Sequence, residues 1–122
     1  MRILIDTNFF IDLLRFRISL HEISTLVLEK YDLFTLDSVL NELNKIANKK
    51  TNDSQYAKLS LEFIKNNQIK ILKSEGEADK VILKLADKNI FVATNDRELR
   101  KMLKRKGTKT IYIKSRKHLG IE

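Results

Sequence analysis

The sequence of 122 residues contains no cysteine, no proline and no tryptophan, and it has only three glycines and two histidines. The absence of cysteine excludes disulfide frameworks, thiolate zinc sites and thiol nucleophiles. Without proline or glycine-rich stretches, no segment resembles a linker between domains. We therefore expect residues 1–122 to form one domain, which is large enough to fold without a disulfide or a structural metal.

Long hydrophobic runs are also missing. No apolar stretch approaches the roughly 18 residues that a membrane span requires. The first ten residues, which include the acid Asp6, lack the apolar core and the cleavage site of a signal peptide. Together with the absence of cysteine, this pattern favours a cytoplasmic protein.

Positive charge is in excess and is unevenly distributed. The net charge is +8, and residues 97–117 alone hold ten basic residues and one acid, so the rest of the chain carries −1. This asymmetry indicates either a polyanionic partner, most simply nucleic acid, or a solvated lysine-rich surface. We expect the last part of the chain, at about residues 114–122, to form a basic C-terminal tail.

Short apolar runs alternate with helical patterns along the whole chain. The runs predict strands over residues 3–5, 33–36, 69–72, 90–94 and 110–113. Amphipathic spacing predicts helices over residues 7–15, 20–30, 38–49, 55–66, 77–88 and 96–106. The alternation predicts an α/β fold, a three-layer α/β/α sandwich with a central, mainly parallel five-stranded sheet.

Acidic residues lie just after four of these predicted strands. Asp6 follows the first strand and Asp96 the fourth, Glu42 lies in the helix after the second, and Glu77 and Asp79 begin the helix after the third. Because the carboxyl ends of parallel strands meet at one edge of a sheet, we expect these acids to gather there. Acids are also the ordinary residues of helix N-termini, so each one taken alone has a structural explanation.

At the last helix, the capping pattern favours a functional explanation of the acid over a structural one. Asn95 followed by Glu98 matches a capping box, which would leave Asp96 without a structural role. Asp79 shares a helix face with the apolar stripe and should point toward the sheet edge, whereas Glu77 should point elsewhere. Glu42 lies within its helix, beyond the capping positions, and it is predicted either to face the same edge or to pair with a surface lysine.

Several carboxylates at one edge repel each other unless a cation joins them. Oxygen ligands suit Mg²⁺ or Mn²⁺. The histidines, His21 and His118, lie away from the predicted strand ends, which disfavours zinc and a histidine base, and we interpret both as structural or surface residues. This set of residues indicates metal-assisted hydrolysis of a phosphodiester, with the basic third of the chain attracting the nucleic acid.

Four stretches, ILIDTNFFIDLL, SVLNELNKI, DKVILKLA and VATNDRELR, together resemble the PIN-domain family of metal-dependent ribonucleases. The resemblance implies a roughly five-stranded parallel sheet between helical layers and an endoribonuclease that uses Mg²⁺ or Mn²⁺. It implies that the catalytic and metal-binding residues are Asp6, Glu42, Asp79 and Asp96. Supporting roles fall to Asn8, Thr94, Glu77 and Glu98. We expect the basic residues after Asp96 to bind RNA, namely Arg97, Arg100, Lys101 and Lys104.

The resemblance leaves the cellular role open. The end of the chain, GTKTIYIKSRKHLG, is similar to that of archaeal members related to pre-ribosomal RNA nucleases, which would make a ribosomal precursor particle the partner. Many small members are instead toxins that pair with an antitoxin and often form homodimers. A non-catalytic RNA-binding module is the alternative in another class, and the presence of all four acids favours the enzyme.

Overall fold

The computed structural model describes residues 1–122 and contains one six-stranded sheet in the order β3-β2-β1-β4-β5-β6. The strands are β1 (Arg2–Ile5), β2 (Asp32–Leu36), β3 (Lys70–Leu72), β4 (Ile90–Ala93), β5 (Thr110–Lys114) and β6 (His118–Ile121). The helices are α1 (Thr7–Arg15), α2 (Ile23–Leu26), α3 (Asp37–Ala47), α4 (Asn52–Asn66), α5 (Ala78–Leu85) and α6 (Arg97–Arg105), and a short 3-10 helix (Leu20–Glu22) precedes α2.

The strand order reverses direction between β1 and β4. From β1 the chain steps through β2 to the edge strand β3, then returns to β4 on the other side of β1, and all these pairs are parallel. Because parallel crossovers are right-handed, the reversal puts α1, α3 and α4 on one face of the sheet and α5 and α6 on the other. The predicted three-layer α/β/α fold is confirmed, and a crevice opens where the order reverses.

The core holds the first helix firmly against the sheet. Ile3 and Ile5 of β1 and Phe9 and Phe10 of α1 are all fully buried, and Leu13 continues the same stripe. Truncation of a buried phenylalanine to alanine typically costs about 3–5 kcal/mol, because a cavity is left behind. Because β1 and α1 are both packed in the core, the position of residue 6 between them is fixed.

The sheet has a sixth strand where the sequence predicted five strands and a basic tail. Residues His118–Ile121 form β6, which pairs antiparallel with β5 in the register Ile111↔Ile121. The hairpin turn has positive φ at Ser115 and Arg116, positions for which glycine or asparagine would have been the sequence signal. Since β6 buries little besides Leu119, its apolar pattern is too weak to mark a strand.

The second predicted helix is much shorter than expected. Residues 20–30 form the 3-10 helix and the single turn of α2, and the chain becomes extended at Val27. The segment Ile23-Ser24-Thr25 is rich in residues that favour turns or strands, and the Thr25 hydroxyl donates to the carbonyl of Glu22 at 2.7 Å.

None of the helices is both long and apolar enough to cross a membrane.

Candidate active site at the carboxyl edge of the sheet

A cleft of about 510 Å³ opens at the carboxyl ends of β1 and β4, and 13 residues line it. Its polar character is unusual, because only three of the lining residues are hydrophobic. The acids in its wall are Asp6, Asp12, Glu42, Asp53, Glu77, Asp79 and Asp96. Arg15 is the one basic side chain among the lining residues.

Asp6 lies at the junction between the sheet and the first helix. Its backbone N–H donates to the carbonyl of Ala93 at 2.9 Å, which extends the pairing of β1 with β4 by one residue. Its Oδ1 accepts the backbone N–H of Thr7 at 2.8 Å and caps α1, while its Oδ2 accepts the Thr94 hydroxyl at 2.9 Å. Asp6 is therefore held from two sides and is only 6% exposed.

Thr94 connects Asp6 to Asp96. The Thr94 hydroxyl donates to Asp6 and accepts the backbone N–H of Asp96 at 3.2 Å, so one side chain sets the spacing between the two acids. Asp96 itself caps α6, because its Oδ1 accepts the N–H groups of Glu98 and Leu99 at 3.0 and 3.2 Å. Its Oδ2 makes no hydrogen bond within the protein, and Asp96 lines the cleft.

The prediction that Asn95 would cap α6 is wrong. The Asn95 amide is held by tertiary partners instead: its Nδ2 donates to Asp12 at 3.0 Å, and its Oδ1 accepts the N–H of Ile113 at 2.8 Å. Its backbone N–H donates to Oδ1 of Asn8 at 3.0 Å. The capping function therefore falls to Asp96, and Asn8 and Asn95 fix the loop that carries it.

Glu42 reaches the cleft from α3, on the same side of the sheet as α1. Its Oε2 accepts the Thr7 hydroxyl at 2.5 Å, and it forms no ion pair with the lysines of its own helix. The two helices are joined at the residue next to Asp6, which explains why Glu42 faces the cleft rather than solvent.

The opposite rim of the cleft is formed by the start of α5. Asp79 lines the cleft as predicted, although it is exposed, and its Oδ1 accepts the N–H of Lys80 at 2.9 Å. The expectation that Glu77 points elsewhere is wrong, because Glu77 lines the same cleft. The loop before α5 is anchored by Ser74, which donates its N–H at 2.9 Å and its hydroxyl at 2.5 Å to Asp37.

Asp37 does not line the cleft, although it directly follows β2. The hydroxyl of Ser74 and the N–H groups of Ser38 and Ser74 stabilise its ionised form, so the pKa of this carboxyl is lowered. Glu98 also lies outside the cleft, where it is exposed and pairs with Lys101 at 3.7 Å. The side chains of Asp37 and Glu98 therefore bond to nearby groups outside the cleft.

Burial raises the pKa of Asp6 from its ordinary value to about 6. Desolvation penalises the charged form more than the hydrogen bonds from Thr94 and Thr7 favour it, and repulsion from Glu42 and Asp96 adds to the shift. Asp6 is therefore ionised at neutral pH, but at a cost to the folded state.

The four basic residues predicted to bind RNA share another, smaller depression of about 250 Å³ with Glu122. Arg97, Lys101 and Lys104 are exposed on α6. Arg100 is engaged in the fold: its guanidinium lies 3.9 Å from the centre of the Tyr112 ring and pairs with Glu122 at 2.6 Å. The structure therefore separates three exposed cations, of which Lys101 pairs only with Glu98 on the same helix, from one that joins α6 to the last strands.

Three charged residues of the cleft were missed by the sequence reasoning. Asp12 and Arg15 project from α1, and Asp53 projects from the first turn of α4. The spacing of Asn8, Asp12 and Arg15, at i, i+4 and i+7, is a signal that these side chains share one helix face. No local signal joins Asp53 to them, because its contact with Arg15 bridges two helices.

The buried Asp6 predicts an unusual pH dependence of stability. The folded-state pKa of about 6 lies above the unfolded value, so stability is lost as pH rises between about 4 and about 6 and stays lost above that. We expect Asp6→Asn, measured without divalent metal, to raise the free energy of unfolding by up to about 3 kcal/mol at pH 8 and by much less at pH 4. Urea unfolding at both pH values measures this difference.

The exposed Asp32, which pairs with Lys70 at 3.7 Å, provides the control. Asp32→Asn should change the unfolding free energy by a similarly small amount at both pH values, because an exposed ion pair contributes little. A gain from Asp6→Asn that is the same at pH 4 and pH 8 would contradict the electrostatic explanation.

Comparison with known proteins adds the family. Residues 3–116 match a family model described as a PIN like domain. The chain is 28% identical over 126 residues to ribonuclease VapC4 of Methanocaldococcus jannaschii, and the alignment covers 98% of this chain and 95% of that protein.

Solved structures agree on the fold. The PIN domain endonuclease Utp24 superposes with a TM-score of 0.81 at 24% identity, over 99% of this chain and 90% of the other. A domain of a functionally unknown protein from Methanocaldococcus jannaschii superposes with a TM-score of 0.65 at 19% identity, over 93% and 91% of the two chains. The family match spans every strand that delivers an acid to the cleft, and the chain belongs to the family of PIN-like domains.

Proposed function

We propose that the protein is an endoribonuclease that hydrolyses phosphodiester bonds of RNA in the acidic cleft. The observation that carries the proposal is the gathering of acids in one cleft, where Asp6 is buried and Glu42 and Asp96 lie near enough to raise its pKa. Charge kept in place at the expense of stability is typical of functional sites. The alignment with a relative named as a ribonuclease, over nearly the whole of both chains, supports this reaction.

The chemistry of the donors fits a hard divalent cation, Mg²⁺ or Mn²⁺. Asp6, Glu42, Asp79 and Asp96 supply carboxylate oxygens to one cleft, and a cation there would relieve their mutual repulsion. No three of these side chains lie close enough together to hold an ion by themselves. This arrangement suits Mg²⁺, which keeps several of its waters and usually binds through one or two carboxylates together with the substrate phosphate.

When bound, such a cation supplies a water of lowered pKa and neutralises charge on the phosphate. The side chains of the cleft do the positioning. Thr94 holds Asp6 and the backbone of Asp96 at a fixed separation, and Thr7 holds Glu42 beside them. Asn8 stabilises the loop before α6 by accepting the N–H of Asn95. The oxygens that face the cleft are thereby oriented before substrate enters.

The RNA path is proposed to continue over α6. This helix begins at the residue after Asp96, so Arg97, Lys101 and Lys104 extend from the cleft along the outside of the sheet. Lys and Arg on such a path attract the phosphate backbone without regard to sequence. The same reaction and the same surface serve either cellular role, a toxin restrained by an antitoxin or a nuclease that acts on a ribosomal precursor particle.

Neutralisation of Asp6 or Asp96 should abolish cleavage without unfolding the protein. Asparagine caps helices as well as aspartate does, so Asp96→Asn keeps the cap of α6 and removes only the charge. We expect Asp6→Asn and Asp96→Asn to reduce the rate of RNA cleavage in Mg²⁺ or Mn²⁺ by on the order of 100-fold or more. EDTA should have the same effect on the wild type, and gel analysis of a labelled RNA measures the rate.

Asp87 offers a matched control, because its Oδ1 accepts the N–H of Asn89, two residues on, much as Asp96 accepts that of Glu98. Asp87 lies outside the cleft, and Asp87→Asn should cleave at the wild-type rate. If Asp96→Asn also cleaves normally, the assignment of the site is wrong. If the wild type binds RNA but cuts with neither metal, the protein is a non-catalytic RNA-binding module instead.

The cations of α6 should appear in the salt dependence of RNA binding. For single strands, each phosphate contact contributes about 0.7 to the slope of log K against log salt. We expect the double variant Lys101→Gln, Lys104→Gln to reduce that slope by roughly 1.4. Fluorescence anisotropy with a single-stranded RNA at several salt concentrations provides the measurement.

Two exposed lysines of α4, Lys58 and Lys65, provide the matched pair. The double variant Lys58→Gln, Lys65→Gln has the same net charge as the α6 double variant, but its substitutions lie on the other face of the sheet. An equal loss of slope in both double variants would mean that RNA responds to total charge and that α6 is not its path.

A further inference from the structure

Arg15 is the one cation in the wall of an otherwise acidic cleft, and the proposed reaction does not use it. It projects from the last turn of α1, and its side chain is 34% exposed. It lies on the α1–α4 side of the sheet, whereas the exposed cations of α6 lie on the other side. A polyanion that enters this cleft therefore meets one positive group on the α1 wall.

The guanidinium of Arg15 is held by three contacts. Nη1 donates to Oδ1 of Asp12 at 3.3 Å, Nη2 pairs with Oδ1 of Asp53, and the carbon of the guanidinium lies 5.5 Å from the centre of the Tyr56 ring. The ring supports one face of the planar group. Arg15 thus keeps a fixed orientation at the cleft wall.

The two carboxylates that pair with Arg15 are not equivalent. Asp12 also accepts the Asn95 amide at 3.0 Å through its other oxygen, so it is tied to the loop that carries Asp96. Asp53 has no hydrogen-bond partner besides Arg15, and its side chain is 49% exposed at the start of α4. Since ion pairs this exposed contribute little net free energy, Asp53 is the partner that a competing anion can replace.

A phosphate diester fits the position that Asp53 occupies. Guanidinium groups bind phosphate oxygens in the same two-pronged geometry as carboxylates, and arginine loses little conformational freedom in doing so. We propose that Arg15 forms a phosphate subsite on the α1 wall, which binds a backbone phosphate of RNA when the guanidinium exchanges Asp53 for that phosphate. The inference rests on the proposed function, because it assigns a second contact for the same RNA.

In this subsite Asp53 regulates access to Arg15. Without RNA, the ion pair neutralises both groups and holds α4 against α1 near the cleft. With RNA, Asp12 and Tyr56 keep the guanidinium in place, and Asp53 turns toward solvent. Arg15 therefore positions the strand on the side of the cleft opposite α6.

A double-mutant cycle tests the exchange. The dissociation constant for a single-stranded RNA oligonucleotide is measured by anisotropy at about 0.15 M salt, where charges more than roughly 8 Å apart are largely screened. All variants are made in the Asp6→Asn background, so that binding is read without cleavage. The set comprises the parent, Arg15→Gln, Asp53→Asn, both changes together, and Arg15→Lys.

We expect Arg15→Gln to weaken binding about tenfold and Asp53→Asn to tighten it about fivefold, because Nη2 of Arg15 then has no competing carboxylate. In the Arg15→Gln background, Asp53→Asn should change the dissociation constant by about twofold or less, which is the part due to lost negative charge alone. Arg15→Lys should be intermediate, since it keeps the charge and loses the two-pronged geometry. Thermal unfolding of each variant identifies any that fail to fold. If Arg15→Gln does not fold, Arg15→Lys takes its place in the test.

Asp32→Asn is the matched control, because Asp32 also pairs with a cation, Lys70, but at the amino end of β2, away from the cleft. It should leave binding within about twofold of the parent. If Asp53→Asn tightens RNA binding equally with and without Arg15, the subsite is overturned. The ion pair would then serve only to hold α4 against α1. RNA binding that ignores Arg15 overturns the subsite alone, whereas the absence of both RNA binding and cleavage overturns the proposed function with it.

Discussion

The structure depends on a carboxylate buried where β1 gives way to α1. Asp6 continues the pairing of β1 with β4 through its backbone, caps α1 through one oxygen and accepts the Thr94 hydroxyl through the other. The neighbouring acids are placed through these same contacts. Glu42 is attached by Thr7, the next residue, and Asp96 by its backbone N–H to Thr94. A change at this junction therefore reaches both walls of the cleft.

The charge of Asp6 opposes the fold that holds it. Burial and two nearby acids raise its pKa to about 6, so the ionised form lowers the stability of the fold. The packing of α1 on the sheet offsets this loss of stability. This cost supports the proposed cation site, because a bound cation would relieve the repulsion among the acids. The one cation of the cleft wall, Arg15, is itself paired with Asp12 and Asp53.

The sequence predicted those features that follow from strand order and from neighbours along the chain. The gathering of Asp6 and Asp96 follows from parallel strands that end at one edge, and the alternation of runs predicted the α/β class. Tertiary partners decided the rest. Asn95 had the local pattern of a cap, but Asp12 and Ile113 take its side chain, so Asp96 caps α6. The strand β6 and the Arg15–Asp53 contact depend on segments distant in sequence, and no local spacing identifies them.

The most direct test is the pKa of the Asp6 carboxyl itself, followed by ¹³C NMR in protein labelled at aspartate and assigned with Asp6→Asn. The structure predicts a pKa of about 6 without divalent metal, and the proposed metal site predicts a much lower value in saturating Mg²⁺. A pKa near the ordinary value of about 4, unchanged by Mg²⁺, would contradict both the electrostatic account of the cleft and its proposed function.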